Sequence, residues 1–297
     1  TYNSNSYVKV FELLGQTWTP VANRMDLGGY HKVVDFDIDG NTVIIGQGEN
    51  NNSSSVKVFE FDGSNWNQKG GDFWDDQNDQ MGQQVSITDD GNKIAISLPE
   101  EQNRFTYPGY MNSGCFYQRY GAVDIYDWDG SSWARTDSIN GDIVYAELGD
   151  AMAMNADGSK VIVGARDSEY YGTGNDRGFV RVYEKGDVIS SCNNNSSVIY
   201  GCTELNALNY DPLANTEDGS CCYDVSVFVQ LGTELFDPLQ DQTGRSTAIS
   251  DNGDIIAYSS WINGGMGGNV RIFQNIKNHK KNFTWDKFEE SLQLNDK

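Results

Sequence analysis

Carboxylates with a regular spacing are the first residues that suggest chemistry. Asp35, Asp37 and Asp39 alternate with apolar residues and precede Gly40, which is how calcium-binding loops begin. Such a loop has an acidic ligand at its ninth position, and here that position is Val43. The same alternation is typical of a half-buried strand that enters a turn. The segment therefore predicts either a calcium site or a hairpin strand.

Two further acidic segments allow a cation site. Asp72, Asp75, Asp76 and Asp79 share one loop, where solvated turn residues are the alternative. A segment rich in Asn, Gly and Asp contains Asp211, Asn215, Glu217 and Asp218. Hard oxygen ligands suit Ca²⁺, so we predict calcium as the one cofactor. The alternative is that these side chains cap turns around a disulfide.

Aromatic residues are concentrated in one long connection, residues 99–121. Tyr107, Tyr110 and Tyr117 lie in it together with three more aromatic residues. Tyrosine-rich loops on a rigid scaffold bind sugars or proteins, so these three tyrosines are a predicted binding surface for glycans or protein partners. The alternative is that they fold over the protein's own surface.

Catalytic motifs are absent from the sequence. The two histidines, His31 and His279, are far apart, and HExxH, GxSxG, P-loop and zinc-type CxxC patterns do not occur. Pairs such as Glu100–Glu101 are expected by chance among 43 acidic residues. The sequence therefore predicts no enzyme. A hydrolase that cleaves polysaccharides with two carboxylates is an alternative that nothing in the sequence locates.

The net charge of −22 argues against two classes of partner. A strongly acidic surface repels phosphate backbones and anionic lipid, so we expect no binding to nucleic acid. No apolar run approaches the roughly 18 residues of a membrane span, so we expect no membrane insertion.

Cysteines and glycosylation sequons indicate an extracellular protein. The cysteines are Cys115, Cys192, Cys202, Cys221 and Cys222, and the last four lie in a segment with little to bury. The Asn-x-Ser/Thr acceptors are Asn51, Asn52, Asn194, Asn195 and Asn282. Because the sequence starts at Thr1, we expect either a removed leader or missing upstream residues.

Two hairpin patterns alternate along the chain and must position these residues. The outer pattern, VKVFEFDGSNW at 56–66, recurs at 123–133 and 8–18, with Trp66, Trp133 and Trp18 at equivalent positions. The inner pattern occurs at 35–46, 86–97, 153–164 and 248–259, with glycine at each turn. One four-stranded unit cannot cover both its faces, so repeats of this kind predict an all-β propeller of stacked blades. We expect the three tryptophans to pack between blades.

The repeats resemble the FG-GAP repeats of integrin α-chain propellers. The matching residues include Met81-Gly82, Leu148-Gly149, Gly164-Ala165 and the strands that begin at Gly121, Gly178 and Gly268. The resemblance covers most of the chain outside 186–222 and implies a β-propeller of residues 1–189 and 223–297. We count four complete blades and a leading hairpin, with about five blades expected. A small ring, strands supplied from outside the chain, or edges completed by another copy would each close it.

Residues 190–222 are a predicted insertion near a hairpin tip. Their sequence resembles the short GCT…NYDP…DGSC repeats of large secreted marine surface proteins. We expect Cys202–Cys221 and Cys192–Cys222 disulfides, although four cysteines allow three connectivities. Cys115 is left as a buried thiol or a bond to another chain.

The sequence thus predicts an extracellular, glycosylated, non-enzymatic propeller that serves in surface structure or adhesion. Its expected partners are other copies of itself, as in a filament, or other surface proteins. A carbohydrate-binding propeller is the first alternative and a polysaccharide hydrolase the second.

Overall fold

A computed structural model describes most of the chain, and the regular elements in that part are all β-strands. The described residues are 7–26, 33–47, 54–74, 79–101, 119–143, 146–166, 178–186, 228–236, 242–261, 268–277, 283–287 and 292–294. The prediction of an all-β chain is confirmed for these residues. Within them, no helix has the length and apolar character needed to span a membrane.

The chain divides into two compact units. Residues 1–184 and 230–297 form the first, and residues 185–229 form the second. Almost all described strands belong to the first unit. The predicted insertion, 190–222, lies outside the described residues, so its boundaries and disulfides stay predictions.

A leading element of two short ladders precedes the larger sheets. Its strands are β1 (Tyr7–Val8), β2 (Phe11–Leu14), β3 (Thr17–Pro20) and β4 (Met25–Asp26). β1 pairs with β4 and β2 pairs with β3, both antiparallel. Leu13 is opposite Trp18, as Phe61 is opposite Trp66 in the next repeat. The leading element therefore corresponds to the two outer strands of a four-stranded sheet.

Four antiparallel sheets follow, each with consecutive strands as neighbours. The first contains β5 (Val33–Phe36), β6 (Thr42–Gln47), β7 (Ser55–Phe61) and β8 (Trp66–Gln68), with β9 (Phe73–Trp74) beside β7. The second contains β10 (Val85–Ile87), β11 (Lys93–Leu98), β12 (Ala122–Trp128) and β13 (Trp133–Asn140). The third contains β14 (Ala151–Met154), β15 (Lys160–Ala165), β16 (Phe179–Lys185) and β17 (Phe228–Gln230). The fourth contains β18 (Gln242–Ile249), β19 (Ile255–Trp261), β20 (Gly268–Lys277) and β21 (Phe283–Lys287), with β22 (Leu292–Leu294) beside β20.

The inner hairpins, which join the first two strands of each sheet, turn at a glycine with positive φ. These tip glycines, with φ between +66° and +69°, are Gly40, Gly91, Gly158 and Gly253. Only glycine adopts such angles without strain, which explains its recurrence. The side chain three residues earlier accepts the amide two residues after the glycine. These acceptor–donor pairs are Asp37–Thr42, Thr88–Lys93, Asn155–Lys160 and Ser250–Ile255.

Neighbouring sheets are joined by backbone hydrogen bonds between their inner tips. The Ile38 amide donates to the Asp89 carbonyl at 3.3 Å, and the Asp89 amide donates to the Ala156 carbonyl at 2.9 Å. The Ala156 amide continues to the Asp251 carbonyl at 3.1 Å. All four residues lie two positions before a tip glycine, so one contact is repeated at three successive junctions.

Apolar cores lie between successive sheets, not within one sheet. Ile44, Val56 and Val58 of the first sheet pack with Val85 and Ile87 of the second. A corresponding cluster joins the third and fourth sheets, and another joins the leading element to the first sheet. Each sheet therefore depends on its neighbours for burial, as the repeat pattern predicts.

Outer-hairpin tryptophans add a second repeated link. Trp66 Nε1 donates to the Val21 carbonyl at 3.3 Å, and Trp133 Nε1 donates to the Lys69 carbonyl at 3.0 Å. Val21 and Lys69 each lie three residues after the tryptophan of the preceding repeat. Packing of tryptophan between neighbouring units is confirmed for Trp66 and Trp133. It is wrong for Trp18, which is 66% exposed because the described residues place no sheet before it.

Candidate functional site

The predicted calcium residues Asp35, Asp37 and Asp39 lie on β5 and its turn. Asp37 Oδ1 accepts the amides of Asn41 and Thr42 at 2.8 and 2.9 Å, so it closes the turn as its counterparts do in the other sheets. Asp39 is exposed. Among the described residues, no group of three or more His, Cys, Asp or Glu side chains is arranged to hold a metal ion. The calcium site stays a prediction.

Asp35 links the first sheet to the second. Its Oδ2 accepts the Ile87 amide at 3.0 Å and the Ser86 hydroxyl at 3.2 Å. Burial raises the pKa of Asp35 above its ordinary value, because a carboxylate loses hydration there, while the hydrogen bonds oppose the rise. Ser86 repeats the link by accepting the Met154 amide at 3.3 Å. The third junction has Ala153 at this position and lacks such an acceptor.

In the acidic loop, Asp72 Oδ2 lies 2.9 Å from Lys57 Nζ and Asp79 is buried, whereas Asp75 and Asp76 lie outside the described residues. The remaining predicted site residues also lie outside the described residues. They are the cysteines Cys115, Cys192, Cys202, Cys221 and Cys222, the sequons Asn51, Asn52, Asn194, Asn195 and Asn282, the ligands Asp211, Asn215 and Asp218, and the tyrosines Tyr107, Tyr110 and Tyr117. Their disulfide, glycosylation, metal and binding roles stay predictions.

Charged residues of the second and third sheets meet at the end opposite the inner tips. We call Glu100, Arg119, Glu147, Asp150 and Arg166 the loop-end network. Arg119 Nη1 lies 2.8 Å from a Glu100 oxygen and 3.5 Å from a Glu147 oxygen. Arg166 lies 3.8 Å from Glu147 and 3.4 Å from Asp150. Alternating charges thus connect residues of two sheets that are distant in sequence.

Two glutamines extend the loop-end network. Gln80 donates to Glu100, and Gln83 donates to Asp150 at 2.6 Å. Gln80 and Glu147 occupy the same repeat position and both have positive φ, at 56° and 53°. Such angles are unfavourable for a residue with a Cβ. The carboxylates of the loop-end network thus contact arginines and glutamine amides of the neighbouring sheet.

The leading element exposes an apolar surface that its counterparts bury. We call Phe11, Leu13 and Trp18 the leading face. These side chains are about half exposed or more, whereas Phe59 and Trp66, at the positions of Phe11 and Trp18 in the next repeat, are less than 10% exposed. Phe59 and Trp66 pack against the leading element. The leading face therefore has the composition of an interface between sheets but no covering sheet in the described part of the chain.

The fourth sheet has a partly uncovered apolar surface on the side that would face a following sheet. Val270 and Ile272 are half-buried, whereas Val180 and Val182, their counterparts in the third sheet, are fully covered by the fourth sheet. We call Val270 and Ile272 the trailing face. The two ends of the described stack thus carry apolar surfaces, the leading face and the trailing face. They correspond to the two sides of one junction between successive sheets.

The sequence patterns located only part of these sites. The outer-hairpin tryptophans suggested interfaces between sheets, and the count of hairpins suggested an incomplete unit. The loop-end network was missed, although Glu100 was noted as one of many carboxylates. One signal was present: Gln80 and Glu147 both stand two residues before an equivalent glycine.

Comparison with known proteins identifies a fold but no family. No family model matches the sequence, and no curated protein matches it. The structure is similar to a candidate 6-phosphogluconolactonase from Bacteroides fragilis, with a propeller-type fold, at a TM-score of 0.52 and 10% sequence identity. The match covers 97% of this chain and 65% of that chain.

Hydrazine synthase from Kuenenia stuttgartiensis is also similar, at a TM-score of 0.49 and 13% identity, over 95% of this chain and 59% of that chain. That score is too low to support an argument. This chain spans less than two thirds of both structures. At 10% identity the likeness to the Bacteroides structure concerns the fold alone, and that fold agrees with several small stacked antiparallel sheets.

Proposed function

We propose that this chain is an extracellular structural or adhesive protein built as a β-propeller of FG-GAP-like blades, and that it assembles head to tail without a catalytic role. The observation that carries the proposal is the leading face, because Phe11 and Trp18 are exposed where equivalent side chains are covered by a preceding sheet. The cysteines and sequons support the extracellular location.

The trailing face supplies the complementary surface. In the third junction, Val180 and Val182 are covered by Ile256 and Tyr258 of the following sheet. The trailing face of one copy can receive the leading face of another in the same manner. Such a contact joins different surfaces of the two copies, so it builds a filament or ring instead of stopping at a symmetric dimer.

The experiment uses one variant for each face. Trp18→Ala truncates the leading face, and Ile272→Lys places a charge in the trailing face. Trp74→Ala is the matched control, since Trp74 is 65% exposed and belongs to neither face. We expect the wild type and Trp74→Ala to form oligomers in sedimentation velocity and elongated or ring-shaped assemblies in electron micrographs.

Mixing then tests the direction of assembly. Each face variant alone should be monomeric, and an equimolar mixture should give a heterodimer, because each variant keeps the face that the other lacks. Monomeric wild type at high protein concentration would contradict the proposal. A circular dichroism melt that matches the wild type establishes that both variants fold.

The loop-end network favours a hydrolase as a second candidate. Three carboxylates and two arginines lie together at one end of two sheets, and the similar Bacteroides structure carries a lactonase name. Hydrolysis of lactone or polysaccharide substrates that Glu100→Gln and Asp150→Asn both abolish would support this candidate. Activity that survives in both variants would exclude the network as its site.

A further inference from the structure

The inner half of the first sheet presents apolar side chains at positions that the second and third sheets bury. Val34 and Phe36 of β5 are 48% and 41% exposed. Val85 and Ile87, at the same positions of β10, are 7% and 6% exposed. Met152 and Met154 of β14 are buried as well. The difference therefore arises from the position of the first sheet in the stack, not from the character of these side chains.

The next junction shows which residues would cover Val34 and Phe36. Val85 and Ile87 pack against Ile44, which belongs to the inner hairpin of the preceding sheet. The described part of the leading element comprises only the outer two strands of such a sheet. Among the described residues, no strand pairs with the edge of β1 and β2 that faces away from β3 and β4. The uncovered side chains and the open strand edge thus mark the place of one inner hairpin.

Backbone polar groups point to the same occupant. The Ile87 amide donates to Asp35 of the preceding sheet, and the Met154 amide donates to Ser86. The corresponding Phe36 amide instead donates to its own neighbour, Asp35 Oδ1, at 2.9 Å.

The inner tips show the same gap. The carbonyls of Asp89, Ala156 and Asp251 each accept an amide from the preceding inner tip. No described residue donates to the Ile38 carbonyl, which holds that position in the first sheet. An inner hairpin placed here would supply both a side-chain acceptor and an amide donor.

We propose that this slot, formed by Val34, Phe36, the Ile38 carbonyl and the open edge of β1 and β2, binds a β-hairpin of the inner type from a different polypeptide. Strand addition to an open sheet edge is an established mode of peptide recognition. A second folded copy does not supply such a hairpin, because all four inner hairpins described in this chain are paired within their own sheets.

The chemistry of the occupant follows from the repeat. It turns at a glycine with Asp or Asn before it, and it carries an acceptor side chain five residues before that glycine, as Asp35 and Ser86 do. A β-branched residue lies four positions after the glycine, as Ile44 and Ile162 do, to cover Val34 and Phe36. This inference rests on the proposed contact function and names the partner that completes the leading element.

The probe is a fluorescent peptide of residues 33–47, since that hairpin covers Val85 and Ile87 in the intact chain. Full-length protein is titrated into it and fluorescence anisotropy is measured. We expect saturable binding that Phe36→Lys in the protein weakens at least tenfold. Trp74→Lys, at an exposed position outside the slot, should leave the binding unchanged. Hydrogen exchange of amides in residues 8–14 should slow when the peptide binds.

Absence of binding, or equal binding to Phe36→Lys, would overturn the inference. Self-association that Phe36→Lys abolishes, without peptide binding, would also overturn it and assign the slot to a second copy. A peptide with Ala in place of Asp35 should bind less tightly, because it lacks the acceptor for the Phe36 amide. If the peptide fails but Trp18→Ala and Ile272→Lys still form a heterodimer, only this inference fails and the proposed function stands.

Discussion

Trp133 shows how one side chain joins two sheets. Its indole Nε1 donates to the Lys69 carbonyl, and the Lys69 ammonium lies over the rings of Trp128 and Trp133 at 5.5 and 5.7 Å from their centroids. The same ammonium donates to the Gly91 carbonyl at 3.0 Å. The end of one outer hairpin is thereby held between the tryptophans and the inner tip of the next sheet.

We predict that Trp133→Phe lowers the free energy of unfolding by about 1 kcal/mol, because the ring is largely kept while one hydrogen bond is lost. Trp74→Phe is the control, since Trp74 is exposed. Urea denaturation followed by circular dichroism measures both. Equal effects of the two substitutions would show that the indole hydrogen bond does not stabilise the junction.

Asp35 gives a pH-dependent prediction. Burial raises its pKa above the ordinary 3.8 in the folded protein, so the folded state binds this proton more tightly than the unfolded state. Stability from this group is therefore present below pH 3.8 and is lost as the pH rises through the folded pKa. Asp35→Asn keeps an oxygen acceptor for the Ile87 amide but does not ionise.

We expect Asp35→Asn to be more stable than the wild type at pH 7 and to lose that advantage as the pH falls toward 3.8. Urea midpoints between pH 7 and pH 3.5 measure the difference, with Asp39→Asn as an exposed control. A wild type that is the more stable protein at pH 7 would refute this assignment.

At this scale the sequence was informative about the turns of the inner hairpins. Aligned inner hairpins carry Asp37, Thr88, Asn155 and Ser250 at one position, and all four accept the same turn amide. Any short side chain with an acceptor oxygen serves at this position, so closing the turn is sufficient to explain why Asp37 occurs there. The shared repeat position of Gln80 and Glu147 was the one sign of the loop-end network, because its residues between 80 and 166 come together only when two sheets stack.

Among the elements, the inner hairpins allow a direct test of stacking. Gly40 and Gly91 have nearly equal φ, at +67° and +66°. A Cβ on Gly40 would meet nothing within 4 Å, whereas a Cβ on Gly91 would lie 2.7 Å from Thr42 Oγ1 of the preceding sheet. The two positions therefore share the backbone strain and differ in the contact with a neighbour.

We predict that Gly40→Ala costs about 1 kcal/mol of stability through its left-handed backbone and that Gly91→Ala costs more. The difference reports the closeness of the first two sheets at their inner tips. Urea denaturation of the two variants is the measurement. Identical losses would mean that the tips are farther apart than the structure places them.

The order of hairpins was predictable because each strand pair lies close in sequence and is marked by a glycine turn. The exposure of Trp18 was not, since the pattern that indicates a buried tryptophan is the same whether or not a sheet precedes it. Whether an outer hairpin is covered depends on its place in the stack, which a local pattern does not encode.

For the whole molecule, the net charge of −22 bears on the proposed assembly. Two copies that approach head to tail repel each other at low ionic strength, and salt screens that repulsion over a Debye length of about 10 Å at 0.1 M. We predict that self-association strengthens between roughly 20 and 300 mM salt. Sedimentation velocity at fixed protein concentration measures it, and association that weakens with salt would indicate a contact dominated by opposite charges.

The hydrogen bonds between successive inner tips use backbone groups at one fixed repeat position. Their formation does not depend on the side chains at positions 38, 89, 156 and 251, and these positions indeed carry three residue types, Ile, Asp and Ala. Duplication or deletion of a whole repeat in the gene would therefore preserve the connection at every junction. Over evolutionary time, a lineage with this architecture can change in length by entire units while the residues at the tips drift freely.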